Sequence, residues 1–359
     1  MIRTADDVNR MANLLALKIE NRRPGIRKHT DYVRGKRGTL KFASDEFKRY
    51  MADRFSGFAD NWCLPVAQAP VERIHFKGFI PYDDRELDSH VMRVWERNDC
   101  DRKLQESALM MTTTGRAFGL VTSMPDGRAR ISFEHPDSAA VHYDPLTGEV
   151  DAGLLVRYDE EHEFGTLLLP DMVFDAVCVR AGGDDERNRL PPGVEGWRFV
   201  PDSARENPLG RVPLVEFRNQ MLLDDLPISD VEQVESMQDA VNVCWAYTLN
   251  ALDFASMPAR VILGGDSLSE PVFDKATGEQ VGERPVNLDK QVMERIMQIT
   301  GDNVSIGEWT ASNLQAFLPI IQKAVEHIAA ETRTPGHYLL TNAEVPATGY
   351  EVAEAGLVS

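Results

Sequence analysis

His135, His142 and His162 fall in one stretch of the chain, and converging imidazoles can hold a transition metal or move a proton. Their spacing is not that of a ligand set and no C-x-x-C accompanies them, so ordinary surface or packed histidines are the simpler reading. Asp83-Asp84, Asp159-Glu160-Glu161 and Asp184-Asp185-Glu186 are carboxylate clusters suited to a hard cation, and equally suited to solvated loops. A triphosphate-cradling G-x-x-x-x-G-K-[ST] loop is absent, as are G-x-S-x-G and H-E-x-x-H. The expectation is a protein that makes and breaks no bonds and takes no cofactor or metal.

The chemistry that the residues do support is electrostatic. From Asn219 to Ala259, forty-one residues contain no Lys, Arg or His. The same window holds seven acids: Asp224, Asp225, Asp230, Glu232, Glu235, Asp239 and Asp253. Ser229-Asp230-Val231-Glu232 is an S-x-x-E capping box, and Val231, Val234, Met237, Val241, Trp245, Leu249 and Leu252 recur at helical steps. Pro258 ends the run. About 28 helical residues would span about 42 Å at 1.5 Å per residue. A helix this long with one sign of charge either solvates an outer face or presents a wall to which a polyanion does not stick. The opposite charge collects between Asn21 and Arg49, where ten cations (Arg22, Arg23, Arg27, Lys28, Arg34, Lys36, Arg37, Lys41, Lys48, Arg49) face three acids. A polyanion site is open there, but a solvated or subunit-facing surface is preferred.

With 359 residues, 43% hydrophobic, the chain can form two domains or one elongated multi-part subunit. Its net charge of −18 argues against a protein that clamps DNA, though not against one that lets DNA pass. Cys63, Cys100, Cys178 and Cys244 are scattered, as free thiols in a reducing compartment are. The first residues lack the apolar core of a secretion signal, and no apolar run approaches the roughly 20 residues of a membrane span. A soluble protein made and assembled in a cytoplasm is expected.

These charges need elements to position them. Residues 5–20 read as a short helix. Phe47, Tyr50, Met51 and Phe55 keep helical spacing, residues 70–82 look extended, and 88–106 read as one amphipathic helix. From Ala117 to Phe217 the pattern is of strands: 118–123 and 128–133 about Pro125-Asp126-Gly127, 141–143 and 154–158 about Asp144–Gly148, then 167–169 and 176–179, with a loop over 181–196. After the acidic helix come a strand at 260–263, a hairpin about Asp274–Gly278, and a short helix over Leu288–Ile299. A second long helix starts at the Ser312-Asn313-Leu314-Gln315 box, is bent by Pro319 and is closed by Pro335. The fold class is α+β: a body over 1–225, a first stem helix over 226–257, a small α/β excursion over 258–309, a bent second stem over 310–335, and a loop leading into a further helix over 336–359.

That order, with several short motifs, resembles the tailed-bacteriophage (siphophage-type) portal proteins. Lys41-Phe42-Ala43-Ser44-Asp45-Glu46-Phe47, Asn61-Trp62-Cys63 and Val71-Glu72-Arg73-Ile74, ending in Gly78-Phe79, are similar to the N-terminal part of that family. Thr332–Leu339 is similar to its segment after the second stem, and Ala353-Glu354-Ala355-Gly356-Leu357 to the start of its next helix. The resemblance covers residues 40–359. Family members continue into a helical crown, whereas this sequence stops at Ser359 as if in an unfinished helix, so the crown is lost or the chain shortened.

The resemblance implies a head-to-tail connector at the capsid vertex of the virion, assembled in the host cytoplasm. It implies a homo-oligomeric ring, usually of twelve subunits, through which double-stranded DNA enters and leaves without sequence recognition. Its partners would be the major capsid protein, the terminase large subunit and later the head-completion adaptor, with no membrane. Candidate channel-lining residues are Asp230, Glu232, Glu235, Asp239 and Asp253, with Thr341, Asn342, Ala343, Glu344 and Thr348 in a loop at 341–349. Glu270, Asp274, Lys275, Glu279, Glu283 and Arg284 mark the excursion, or clip, as the docking tip. Another connector or a minor capsid protein is the alternative, followed by an enzyme acting on nucleic acid.

Overall fold

The computed structural model describes residues 4–36, 40–51, 59–80, 88–124, 126–158, 162–179, 197–200, 202–222, 226–256, 260–263, 269–273, 280–285, 296–299, 305–308, 317–334 and 339. In chain order the elements are helices α1 (Ala5–Val33), α2 (Asp45–Met51), α3 (Cys63–Val71), α4 (Ser89–Arg97) and α5 (Cys100–Thr114). Strands β1 (Arg116–Ser123), β2 (Ala129–Glu134), β3 (Ala139–Tyr143), β4 (Val150–Tyr158), β5 (His162–Leu168), β6 (Met172–Val179), β7 (Arg198–Phe199), β8 (Arg205–Glu206) and β9 (Leu214–Arg218) follow. Helix α6 (Glu235–Ser256) leads to β10 (Arg260–Leu263), β11 (Ser269–Phe273), β12 (Gln280–Pro285), β13 (Ile296–Ile299) and β14 (Ser305–Glu308), and α7 (Leu318–Glu331) comes last. The class is α+β, as the residue patterns indicate.

One compact unit comprises Met1–Gly38, Gly57–Gln238 and His327–Ser359. Its spine is α1, capped by a reciprocal pair: Asp7 N–H donates to Thr4 Oγ1 at 3.2 Å, and Thr4 N–H donates to Asp7 Oδ2 at 3.3 Å. The helix does not stop near residue 20. It runs on through Pro24, a residue that costs a helix interior about 3 kcal/mol. The buried face of Val8, Ala12, Leu15, Ile19, Ile26 and Tyr32 continues across that proline and offsets the cost.

Alternation along the strands sets two apolar layers. Ala140, Leu154 and Leu167 share a core with Val8, Ala12, Leu15 and Ile19 of α1, whereas Ala139, Leu155 and Leu168 share one with Phe118, Leu120 and Leu214. The antiparallel sheet β3-β4-β5-β6-β7 therefore lies between α1 and the sheet β2-β1-β9. Its β3 edge is blunted by cations: Arg22 Nη2 donates to Ala139 O at 2.7 Å, Lys18 Nζ to Val141 O at 3.4 Å and Arg23 Nη2 to Asp137 O at 3.5 Å. Four helical residues, about 6 Å of rise, nearly match the about 6.8 Å between alternate strand residues. The first cations of the basic segment thus satisfy backbone carbonyls.

Several boundaries differ from the sequence reading. Residues 63–71 are helix and only 74–80 lack regular structure. The helix expected over 88–106 is two, broken where Asp99 takes φ 55, and α5 ends on Gly115 at φ 86, where a Cβ would meet Pro227 O at 2.8 Å. Phe55 and the loop expected over 181–196 lie outside the described residues.

The second unit comprises Thr39–Ser56 and Asp239–Glu326. In it the Phe47 ring of α2 lies 4.4 Å from that of Tyr247 on α6. Strands β11 and β12 form the expected antiparallel hairpin, with Glu270 opposite Arg284. Strand β10 pairs with β14 antiparallel and with β13 parallel. The helix expected over Leu288–Ile299 is thereby corrected: Ile296–Ile299 is a strand, because a short apolar run fits either period and the pairing with β10 decides. Residues 288–295, and the Ser312 box that was to start the second stem, lie outside the described residues. Pro319 is the second residue of α7, where no intrahelical donor is required, so it does not bend that helix.

Leu15→Ala, at a fully buried position, should lower unfolding free energy by about 2–5 kcal/mol. Leu17→Ala, 60% exposed on the same helix, should stay within about 0.5 kcal/mol. Urea denaturation of the two variants checks this; equal losses would mean that α1 does not pack as described.

Candidate functional site

The start of the acidic helix is built from long-range bonds. Ser229 is buried; its Oγ donates to Thr113 O at 2.6 Å and accepts from Val231 N at 3.1 Å and Glu232 N at 3.2 Å. Half of the expected capping box therefore forms, but residues 230–234 are turns and the helix begins at Glu235. The hydroxyl is already committed to α5, which fixes the chain as a turn before it can coil.

The acids that looked alike in the sequence are separated by the fold. Asp230 is half-buried; its N–H donates to Thr112 O at 3.0 Å and its Oδ1 accepts from Asn219 Nδ2 at 2.8 Å. Burial pushes the Asp230 carboxyl above the usual range, partly opposed by that bond. Glu232 is exposed. Glu235 is only 7% exposed and Asp239 1%. Both are turned into the fold and shut from water. Asp253 belongs to the last turns of α6. Asp224 and Asp225 lie outside the described residues, as do Thr341, Asn342, Ala343, Glu344 and Thr348 and the rest of the 341–349 loop.

Counter-charge for Glu235 comes from α1. Lys28 Nζ pairs with Glu235 Oε2, and His29 Nε2 lies 3.5 Å from Oε1. Glu235 also occupies the first turn of α6, where free amides favour a negative charge. His29 is buried and its Nδ1 lacks a hydrogen-bond partner. Burial pushes the imidazole below its ordinary pKa, against the pull of Glu235 and Glu232 and with a further push from Lys28. Sequence reading missed this pair; the signal available was a basic segment and an acidic one of comparable length, with nothing to show that they meet.

Of the residues expected at the docking tip, Glu270 stands on β11, and Glu283 and Arg284 on β12. Asp274, Lys275 and Glu279 lie outside the described residues. His135 and His142 each pair with a carboxylate of their own, Asp137 at 2.5 Å and Asp151 at 2.6 Å, rather than with one another. Among the described residues no group of three or more His, Cys, Asp or Glu is placed to hold a metal ion. The clusters at 83–84, 159–161 and 184–186 lie outside them. A cleft of about 390 Å³ beside Asp230 is lined by Arg73, Gln233, Glu331 and Arg333 among others, a balanced mixture of charge.

The family model for phage portal proteins of the SPP1 Gp6-like type matches residues 77–339. The portal protein of Mycobacterium phage L5 is 25% identical over 296 residues, which cover 79% of this chain and 56% of that protein. The portal protein of Mycobacterium phage D29 is 25% identical over 298 residues, with the same coverage. The chain spans about half the length of these curated relatives. A chain in the neck of a native gene transfer agent particle, computed with C12 symmetry, superposes with a TM-score of 0.40 at 13% identity, over 87% of this chain and 74% of that one. One in the neck of an empty particle, computed with C6 symmetry, gives 0.40 at 12%, over 87% and 75%.

His29 sets a pH dependence. Its folded pKa lies below the ordinary 6.5, so the unfolded chain takes up the proton more readily. The contribution to stability is full above that value and drains as pH falls through and below it. Between pH 7.5 and 5.5 the parent should therefore lose more unfolding free energy than His29→Gln, measured by urea melts. Parallel losses would show that His29 is not held neutral by the fold.

Proposed function

The chain belongs to the SPP1 Gp6-like phage portal family, and on that premise we propose that it is a portal subunit, one copy in a ring at the capsid vertex that conducts double-stranded DNA into and out of the head. The observation that carries this is the family match over residues 77–339, which takes in the β-rich body, α6, the clip strands and α7. The family is structural, and the role proposed is that of a conduit rather than an enzyme. The ring is closed, of twelve subunits, assembled in the host cytoplasm and retained in the virion. The major capsid protein surrounds it, and the terminase large subunit and then the head-completion adaptor dock on it.

Duplex DNA carries one charge per about 1.7 Å, and each Lys or Arg contact binds it by releasing counterions. A wall of such contacts would grip the duplex at every step, whereas an acidic or neutral wall leaves it mobile. Exposed Glu232, together with Asp253 and the loop 341–349, is the wall proposed. On the clip, Glu270, Asp274, Lys275, Glu279, Glu283 and Arg284 form the docking tip, and the stems over 226–257 and 310–335 carry it.

Negative-stain images of the purified chain should show rings with a hole wide enough for duplex DNA. A monodisperse monomer at micromolar concentration would contradict the reading, and a ring without such a hole would favour another connector. Arg284→Glu should weaken motor or adaptor binding by about tenfold, or 1.4 kcal/mol, with rings intact. Loss of rings with normal partner binding would make the clip an assembly element. Lys at Ala343 and Ala347 should slow packaging or reduce DNA retention; packaging at the parental rate would place that loop away from the duplex.

A further inference from the structure

Helix α7 ends in a Schellman arrangement: Thr334 N–H donates to Ala329 O at 2.9 Å and Arg333 N–H to Ala330 O at 3.3 Å. The residue at its turning point is Arg333, with φ 54. Glycine takes that conformation freely, whereas any Cβ crowds the following carbonyl. The other non-glycine residues at positive φ among those described are Asp99 and Asp202, whose short polar side chains tolerate it. An arginine there strains the backbone to keep a guanidinium in place, and strain of this kind collects at sites that bind or switch.

That guanidinium belongs to the cleft of about 390 Å³ in the first unit, formed by the end of α3, the turn before α6 and the residues closing α7. Arg333 is exposed, and among the described residues its side chain forms no hydrogen bond or ion pair. Asp230 lines the same cleft. Its Oδ1 accepts from Asn219 Nδ2 at 2.8 Å and from Gln220 Nε2 at 3.4 Å, whereas Oδ2 accepts nothing among the described residues. Burial holds the carboxyl above its usual range, as for an anion short of donors. An unanswered donor and an unanswered acceptor thus share one cleft without bridging it. A polyphosphate would meet Asp230 and Glu331 there, and a metal ion would meet Arg73 and Arg333. An extended peptide offers both groups, a backbone N–H for the aspartate and a carboxylate for the arginine, with Val66, Ala69 and Pro70 against its apolar part. We propose that the cleft binds an extended, acidic segment of a second copy of the chain, its carboxylate on Arg333 and its backbone N–H on Asp230. This rests on the ring reading. In a closed ring the neighbouring copy is held beside each subunit at high effective concentration, so a site of few contacts still fills. A chain with 57 acids against 39 Lys and Arg readily supplies the carboxylate.

The test uses the whole chain with Arg333→Gly, which relieves the backbone and removes the guanidinium, and Arg333→Lys, which keeps strain and charge. Thermal unfolding is followed at concentrations too low for assembly, and assembly by sedimentation velocity across concentration. Arg333→Gly should raise the unfolding midpoint by about 2 °C and yet weaken assembly by about tenfold. Arg333→Lys should unfold like the parent and recover most of the assembly. Arg333→Gly that assembles like the parent would overturn this inference alone. A lowered midpoint in Arg333→Gly would assign the guanidinium to holding its own subunit, and would equally overturn it. Loss of binding to a duplex oligonucleotide with assembly intact would make the cleft a phosphate site, again overturning it. A parent that stays monomeric would overturn the ring reading and this inference together.

Discussion

A buried carboxylate cannot stand without a counter-charge: removing an ion from water costs several kcal/mol even after relaxation. Glu235 is such a carboxylate, and Lys28 of α1 answers it, with the imidazole of His29 beside it at 3.5 Å. To bring them there, α1 must stay helical through Pro24 and keep one register along the sheet. That register is fixed by Val8, Ala12, Leu15 and Ile19 in the core. Polar clamps reinforce it: Trp197 N–H donates to Asn13 Oδ1 at 3.0 Å and Phe199 N–H to Asn9 Oδ1 at 2.7 Å. Between core and ion pair, Lys18, Arg22 and Arg23 close the β3 edge. Successive turns of one helix thus pack the sheet, protect its edge and neutralise the start of α6.

This arrangement changes what the acidic run means. A helix with one sign of charge suggested a wall facing a polyanion, yet part of that charge is internal. Glu235 is neutralised within the subunit, Asp239 is buried, and Asp230 is held by Asn219 and Gln220. At the start of the run the acid left exposed is Glu232. For the proposed conduit a sparse wall suffices: a duplex needs the absence of grip more than it needs strong repulsion.

Much of the body was legible in the sequence because period-2 alternation and turn residues act locally. The hairpin about Asp126-Gly127 and that about Asp144–Gly148 lie where the pattern put them. The extent of α1 was not legible, since Pro24 is a strong local stop that only tertiary packing overrides. Ile296–Ile299 was misread because a segment of four residues is too short to show a period. The counter-charges of Glu235 were hidden because pairing between distant segments leaves no trace in one sequence.

The central claim is that α1 supplies the charge that lets α6 begin on a buried acid. A double-mutant cycle of Lys28→Ala and Glu235→Ala, read as unfolding free energy in urea, tests it most directly. The account predicts a favourable coupling of about 0.5–3 kcal/mol between the two sites. Strictly additive losses would contradict it.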